Sequence, residues 1–237
     1  MLLLFLPFQA STAVIFSEDF SDNSAGWSFN GPGLSEWEIA PAAVSVGHVR
    51  GFADPGVDHT ATADNGVAGV NIGGNAPTGV RTFDFLVSPV IDTSTAAGLL
   101  TFEHYRWLNS DVLPYMGNKI EVYDGATSVS VFATGHFPSV TDSRWVHKTF
   151  DITAHKNATM RIRFGFAIGS PGVFTVSGWN VDDVLVHDGL AAPPLPAPAP
   201  FWIRRWRHWS MPCGNDLSGC VGSTADRFPD SRCRSLI

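Results

Sequence analysis

Between residues 14 and 189 apolar side chains recur at every second position, in short runs broken by Gly, Pro, Asn or Asp. That spacing belongs to strands with one dry face and one wet one. Residues 160–166, MRIRFGF, alternate strictly. The same period predicts strands around Val14 and Phe16, around Trp37 and Ile39, and over residues 66–74, 83–87, 99–108, 119–123, 128–133, 145–152, 159–167 and 173–186. Residues 21–33, around Trp27, read as a turn-rich loop, and residues 54–66 as the most polar part of the body. The pattern predicts an all-β chain, one antiparallel β-sandwich over residues 14–189, with no helix longer than a few turns.

The last of these strands contains two adjacent acids. In GWNVDDVLV a two-residue period points Trp179, Val181 and Leu185 one way and Val184 and Val186 the other. Asp182 and Asp183 then face opposite sides of the sheet. An ionised carboxylate at a buried strand position is costly unless it is paired, hydrogen-bonded or bound to a metal, so at least one of them requires a partner.

This strand resembles the closing strand of MAM-like and carbohydrate-binding-module-like jelly rolls. In those, the sandwich opens near an acidic EDF segment, here Glu18, Asp19 and Phe20, followed by a tryptophan, here Trp27. DHTATADNGVAG (residues 58–69), SPVID (88–92) and RWLNSD (106–111) extend the likeness to secreted bacterial jelly-roll domains, including those appended to secreted metallopeptidases. The resemblance covers residues 14–189 and implies a jelly-roll sandwich, an extracellular setting and a non-catalytic role. It implies no particular ligand. The body lacks the cysteines usual in animal MAM domains, so their adhesion role does not transfer.

Charge and termini narrow the classes. Residues 1–200 hold 9 Lys and Arg against 19 Asp and Glu, whereas residues 201–237 hold 6 against 3. An acidic body has no basic stripe with which to release phosphate counterions, which argues against nucleic acid and is compatible with cations. Residues 1–13 read as a short signal peptide: residues 1–8 are apolar, and Ser11, Thr12 and Ala13 offer the small residues a signal peptidase reads. Residues 190–200, LAAPPLPAPAP, form a Pro/Ala linker suited to polyproline II. Its PLPAP core resembles the start of a PEP-CTERM-type sorting signal, but FWIRRWRH stands where the apolar helix belongs. Two readings of residues 201–237 remain open, a changed reading frame or a disordered tail. Trp202, Arg204, Arg205, Trp206, Arg207 and Trp209 suit contact with a membrane surface. All three cysteines, Cys213, Cys220 and Cys233, lie in this tail.

No HExxH, GxSxG or CxxC is present, so no hydrolase motif stands out. His104 and His147 read as structural; His59, between Asp58 and Thr60, is the one to watch. Calcium is the expected cofactor, because hard cations take carboxylate and carbonyl oxygens. If first and last strands pair, as the resemblance implies, Glu18, Asp19, Asp22, Asp182 and Asp183 become neighbours and a structural ion would staple the domain's ends. A second candidate site is Asp54, Asp58, Asp64 and Asn65. For a sugar, whose C–H face stacks on an aromatic ring while its hydroxyls seek amides and carboxylates, the candidate set is Arg106, Trp107, Asn109, Asp111, Tyr115 and Asn118. Trp107 reads more readily as core, like Trp145 and Trp179. The expected function is a secreted or cell-surface, non-catalytic binding or adhesion module for glycan or another surface polymer. The alternatives are a glycan-active hydrolase using carboxylates and an accessory fragment of a secreted peptidase.

Overall fold

The computed structural model describes residues 13–31, 36–60 and 62–189. The expected signal segment up to Thr12, the linker and the tail lie outside the described residues. The strands are β1 (Ala13–Glu18), β2 (Ser28–Asn30), β3 (Trp37–Pro41), β4 (Gly66–Val70), β5 (Arg81–Val87), β6 (Leu99–Leu108), β7 (Met116–Tyr123), β8 (Ser128–Ala133), β9 (Val146–Asp151), β10 (Arg161–Ile168) and β11 (Trp179–Gly189). Among the described residues the one helical piece is a 3-10 turn, Thr153–His155.

Two antiparallel sheets stack face to face. One holds six strands in the order β3-β4-β11-β6-β9, with β1 also paired to β11; the other holds five, β2-β5-β10-β7-β8. Only β3–β4 and β7–β8 stay within a sheet, and every other step along the chain crosses the sandwich, which is jelly-roll connectivity. The first strand lies against the last, as expected.

The strand period decides what fills the space between the sheets. From β6 come Leu100, Phe102 and Leu108; from β10, Ile162, Phe164, Phe166 and Ile168; all are fully buried. Trp179 lies at the centre, 5.4 Å from the Trp37 ring and 5.7 Å from Phe164. His104 shares this layer, stacked on Phe102 and Phe150, and neither of its ring nitrogens has a hydrogen-bond partner among the described residues. Burial pushes its pKa down to about 3, so the core holds it neutral.

Two expectations need correction. Residues 28–30, read as loop, form β2 on the five-stranded sheet's edge. Residues 173–178 are not strand; β11 begins at Trp179. The larger correction concerns facing. Trp179, Val181, Val184 and Val186 all join the core, which no unbroken two-residue period allows. The β11–β6 register shifts between Asp182 and Leu185, and Asp183 takes a left-handed backbone, φ +48°. A β-bulge thus adds one residue to the strand. Asp182 and Asp183 therefore share the sheet's outer side instead of dividing between its faces.

Candidate functional site

Residues 52–60 run as a strap over the outer face of the six-stranded sheet, and the paired acids are what hold its end. Asp182, fully buried, accepts the His59 amide at 2.7 Å and the Asp183 amide at 2.8 Å. Asp183 meets the His59 ring nitrogen Nδ1 at 2.6 Å and accepts the Thr60 hydroxyl. Further back, Trp107 Nε1 donates to the Ala53 carbonyl at 3.0 Å and Trp145 Nε1 to Val57 at 3.2 Å. Trp107 and Trp145, edge to face at 5.9 Å, are thus strap anchors; of the three tryptophans only Trp179 is core. Asp54 takes the Asn180 amide at 2.7 Å. Burial pushes Asp54 up to about 6 and Asp182 up to about 7, against the pull of their hydrogen bonds.

The strap covers only part of the sheet. Where it ends, the His59 ring stacks on Tyr105 at an interplanar angle of 14°. Beyond Tyr105 opens a cleft of about 670 Å³, bounded by β1 and the following turn on one side and by β6, β9 and β11 below. Its lining includes Glu18, Asp19, Ser21, Ser24, Glu103, Tyr105, His147 and Asp183. Glu103 lies between two imidazoles, His147 at 3.1 Å and His187 at 3.2 Å. His147 is therefore a partly exposed wall residue and not a core histidine. Glu18 accepts the Phe20 amide and Trp27 Nε1, each at 2.9 Å, and burial raises its pKa. Asp19 accepts Ser21 N at 3.1 Å. Every carboxylate of the cleft is held by a protein donor.

Of the first calcium set, Glu18, Asp19 and Asp183 reach this one cleft, whereas Asp182 is buried under the strap and Asp22 closes its own turn onto Ser24 N at 2.7 Å. The second set does not gather. Asp54 faces Asn180; Asp58 accepts the Thr62 hydroxyl at 2.8 Å; Asp64 accepts Gly66 N at 3.1 Å; Asn65 bonds Asp58 N and the Ala42 carbonyl. Among the described residues no group of three or more His, Cys, Asp or Glu is placed to hold a metal ion.

The expected sugar-binding set is also dispersed, because its polar members are framework. Arg106 forks onto Asp142 with Nε and Nη2 at 2.9 and 3.1 Å. Asn109 holds the Phe52 amide, Asp111 the Val112 and Phe174 amides, and Asn118 the Ser110 hydroxyl. All four are buried; a ligand would have to unmake the fold to reach them. Tyr115 is exposed, and Trp107 in part. Sequence reasoning passed over Tyr105 and His187. The signal was available: residues 103, 105 and 107 share a parity on β6 opposite to core residues Phe102 and Leu108.

No protein-family model matches the chain, and no curated protein matches it. Its MAM-like likeness rests on the motifs alone. Solved structures similar to it include a cleaved adhesin domain of Lys-gingipain from Porphyromonas gingivalis, 14% identical with a TM-score of 0.39, covering 73% of this chain and 98% of that one. The CBM22-1 xylan-binding domain of Xyn10C from Paenibacillus barcinonensis is 14% identical, TM-score 0.39, over 77% of this chain and 99% of that one. The module TmCBM61, solved with β-1,4-galactotriose, is 12% identical, TM-score 0.40, over 71% and 97%. Likeness at this level says nothing of family, ligand or role.

Proposed function

We propose that the domain is a secreted or surface-held, non-catalytic glycan-binding module, and that the cleft beside Tyr105 takes the sugar. One observation carries this reading: the cleft combines an aromatic ring with hydroxyls and carboxylates that protein donors already orient. Sugar hydroxyls find fixed acceptors there, and the apolar side of a pyranose meets the edge of Tyr105, whose ring His59 and His147 flank. A glycosidase needs one carboxyl free as acid and a second as base or nucleophile; here Glu103, Glu18 and Asp183 are all engaged. Tyr105→Ala is expected to weaken retention on the bound polysaccharide about ten-fold or more, with Tyr105→Phe close to the parent, and no reducing sugar should appear. Release of reducing sugar that stops with Glu103→Gln would replace this reading with the hydrolase.

Structural calcium is a second proposal for the same cleft, supported by Glu18, Asp19 and Asp183 lining it together. An ion there would draw these carboxylates out of hydrogen bonds they now make, with backbone carbonyls and water completing its shell. Millimolar calcium is then expected to raise Tm by mass action, and Asp183→Ala to abolish the rise. A Tm indifferent to calcium and chelator alike removes the ion from the account.

A further inference from the structure

The outer face of the five-stranded sheet has a different character from the acidic cleft. Its rows follow from register: Phe85 on β5, Gly165 on β10 and Lys119 on β7 stand side by side, and the next row is Val87, Arg163 and Glu121. Gly165 is the key position. A Cβ there would lie 2.6 Å from the Phe85 ring and 3.1 Å from Phe83, so only glycine lets both rings lie down on the β10 backbone. Gly117 on β7 serves Phe83 in the same way, with a Cβ 3.3 Å from its ring. The two rings stack 5.7 Å apart.

Cations gather over them. Lys119 Nζ lies 4.0 Å from the Phe83 centroid and 5.1 Å from Phe85, and the Arg163 guanidinium lies 4.2 Å above Phe85. Both share a single carboxylate, Glu121, at 2.8 and 2.5 Å, which leaves one positive charge in excess. Arg161 stands two residues before Arg163 on the same side of β10. Arg81, which is ion-paired to Glu36, borders an open groove of about 760 Å³ that runs on from Phe83 past Ala167 to Gly169. Four of the body's nine Lys and Arg thus lie on one face of a strongly acidic domain.

We infer that this face is a second binding site, for a carboxylate-bearing polysaccharide such as a polyuronate. Charge complementarity and shape both favour such a polymer. The rings are already capped by cations, so a neutral sugar would have to displace them, whereas a uronate is drawn to them. Its carboxylate meets the Arg163 guanidinium in the planar fork that arginine offers, and competes with Glu121 for Lys119. Its apolar ring face covers the edges of Phe83 and Phe85, and a continuing chain follows the groove. The face is independent of the Tyr105 cleft, which lies on the other sheet.

The test uses the full chain, polygalacturonate, and the same polymer with its carboxylates reduced to primary alcohols. Polygalacturonate should bind about ten-fold or more tightly than its reduced form, and binding should weaken as salt rises. Lys119→Gln and Arg163→Gln should each reduce affinity per folded molecule several-fold, Gly165→Ala should reduce it by lifting Phe85, and Tyr105→Ala should leave it unchanged. Equal binding of the two polymers, or loss through Tyr105→Ala alone, overturns the acidic-glycan site while leaving the cleft reading intact. No binding of polygalacturonate overturns it outright, and an unchanged affinity in a folded Lys119→Gln, Arg163→Gln double variant does the same.

Discussion

The folded domain is expected to be most stable near pH 4 and to lose stability as the pH rises toward 7. Three buried groups set the slopes. Burial pushes Asp182 up to about 7 and Asp54 up to about 6, from ordinary values of 3.8. Between the ordinary and raised values the folded state keeps protons that the unfolded chain has released. Their contribution is complete below about pH 4 and is lost as the pH passes through 6 and 7. His104 runs the other way. Its pKa falls from 6.5 to about 3, so the unfolded chain binds a proton that the core refuses. That contribution is complete above 6.5 and is lost as the pH falls toward 3. Each pH unit inside such a window is worth about 1.4 kcal/mol per group. Two carboxylates therefore outweigh one imidazole across most of the range from pH 4 to 7, and below pH 4 the imidazole slope remains. Asp54→Asn is expected to raise Tm at pH 8 more than at pH 4, since it removes a buried charge and keeps an acceptor for Asn180. His104→Leu should flatten the acid limb. A Tm maximum at or above neutrality, with an acid limb unmoved by His104→Leu, would remove this account.

The sandwich was legible because its strands obey one rule over most of their length. The residues of β6 and β10 alternate between a core and an outer face over most of their length, and turn residues mark their ends. What the period could not reveal was its own interruption. The bulge at Asp182 and Asp183 is a backbone event, and nothing in the side-chain sequence DDV distinguishes an added residue from a regular strand. Once the bulge is present, both acids fall on one side and the need for a partner is met by the strap. The family resemblance paired β1 with β11 correctly, yet proximity of strands did not bring five acids to one point. In RWLNSD the error had a different cause. Polar residues at a strand end read as exposed, but Arg106, Asn109 and Asp111 bind backbone amides and a carboxylate in the loops that cross the sandwich's end. Polar chemistry is equally suited to a ligand and to a buried turn, and only burial separates the two. The Phe83 and Phe85 platform was missed because it depends on register: Gly165 acquires meaning only when Phe85 and Lys119 flank it.

Arg106→Ala is expected to cost on the order of 3 to 5 kcal/mol of folding stability while leaving glycan affinity per folded molecule unchanged. The reason is the environment of its partner. Asp142 has a side chain only 11% exposed, and both its oxygens are taken by the Arg106 fork, with Oδ2 also accepting the Leu108 amide at 3.0 Å. Removing the guanidinium leaves that carboxylate buried with one neutral donor, and it also removes the cation 5.3 Å from the Phe132 ring on the opposite sheet. Arg106→Lys keeps the charge but not the planar fork, so it should fall between the parent and the alanine variant. Because the larger share of the loss is an orphaned charge, the Arg106→Ala, Asp142→Ala double variant should be less destabilised than the sum of the single variants. Chemical denaturation of the four proteins measures this coupling directly. Additive losses, or a fall in glycan affinity with Tm preserved, would return Arg106 to the ligand-contacting role that its sequence context suggested.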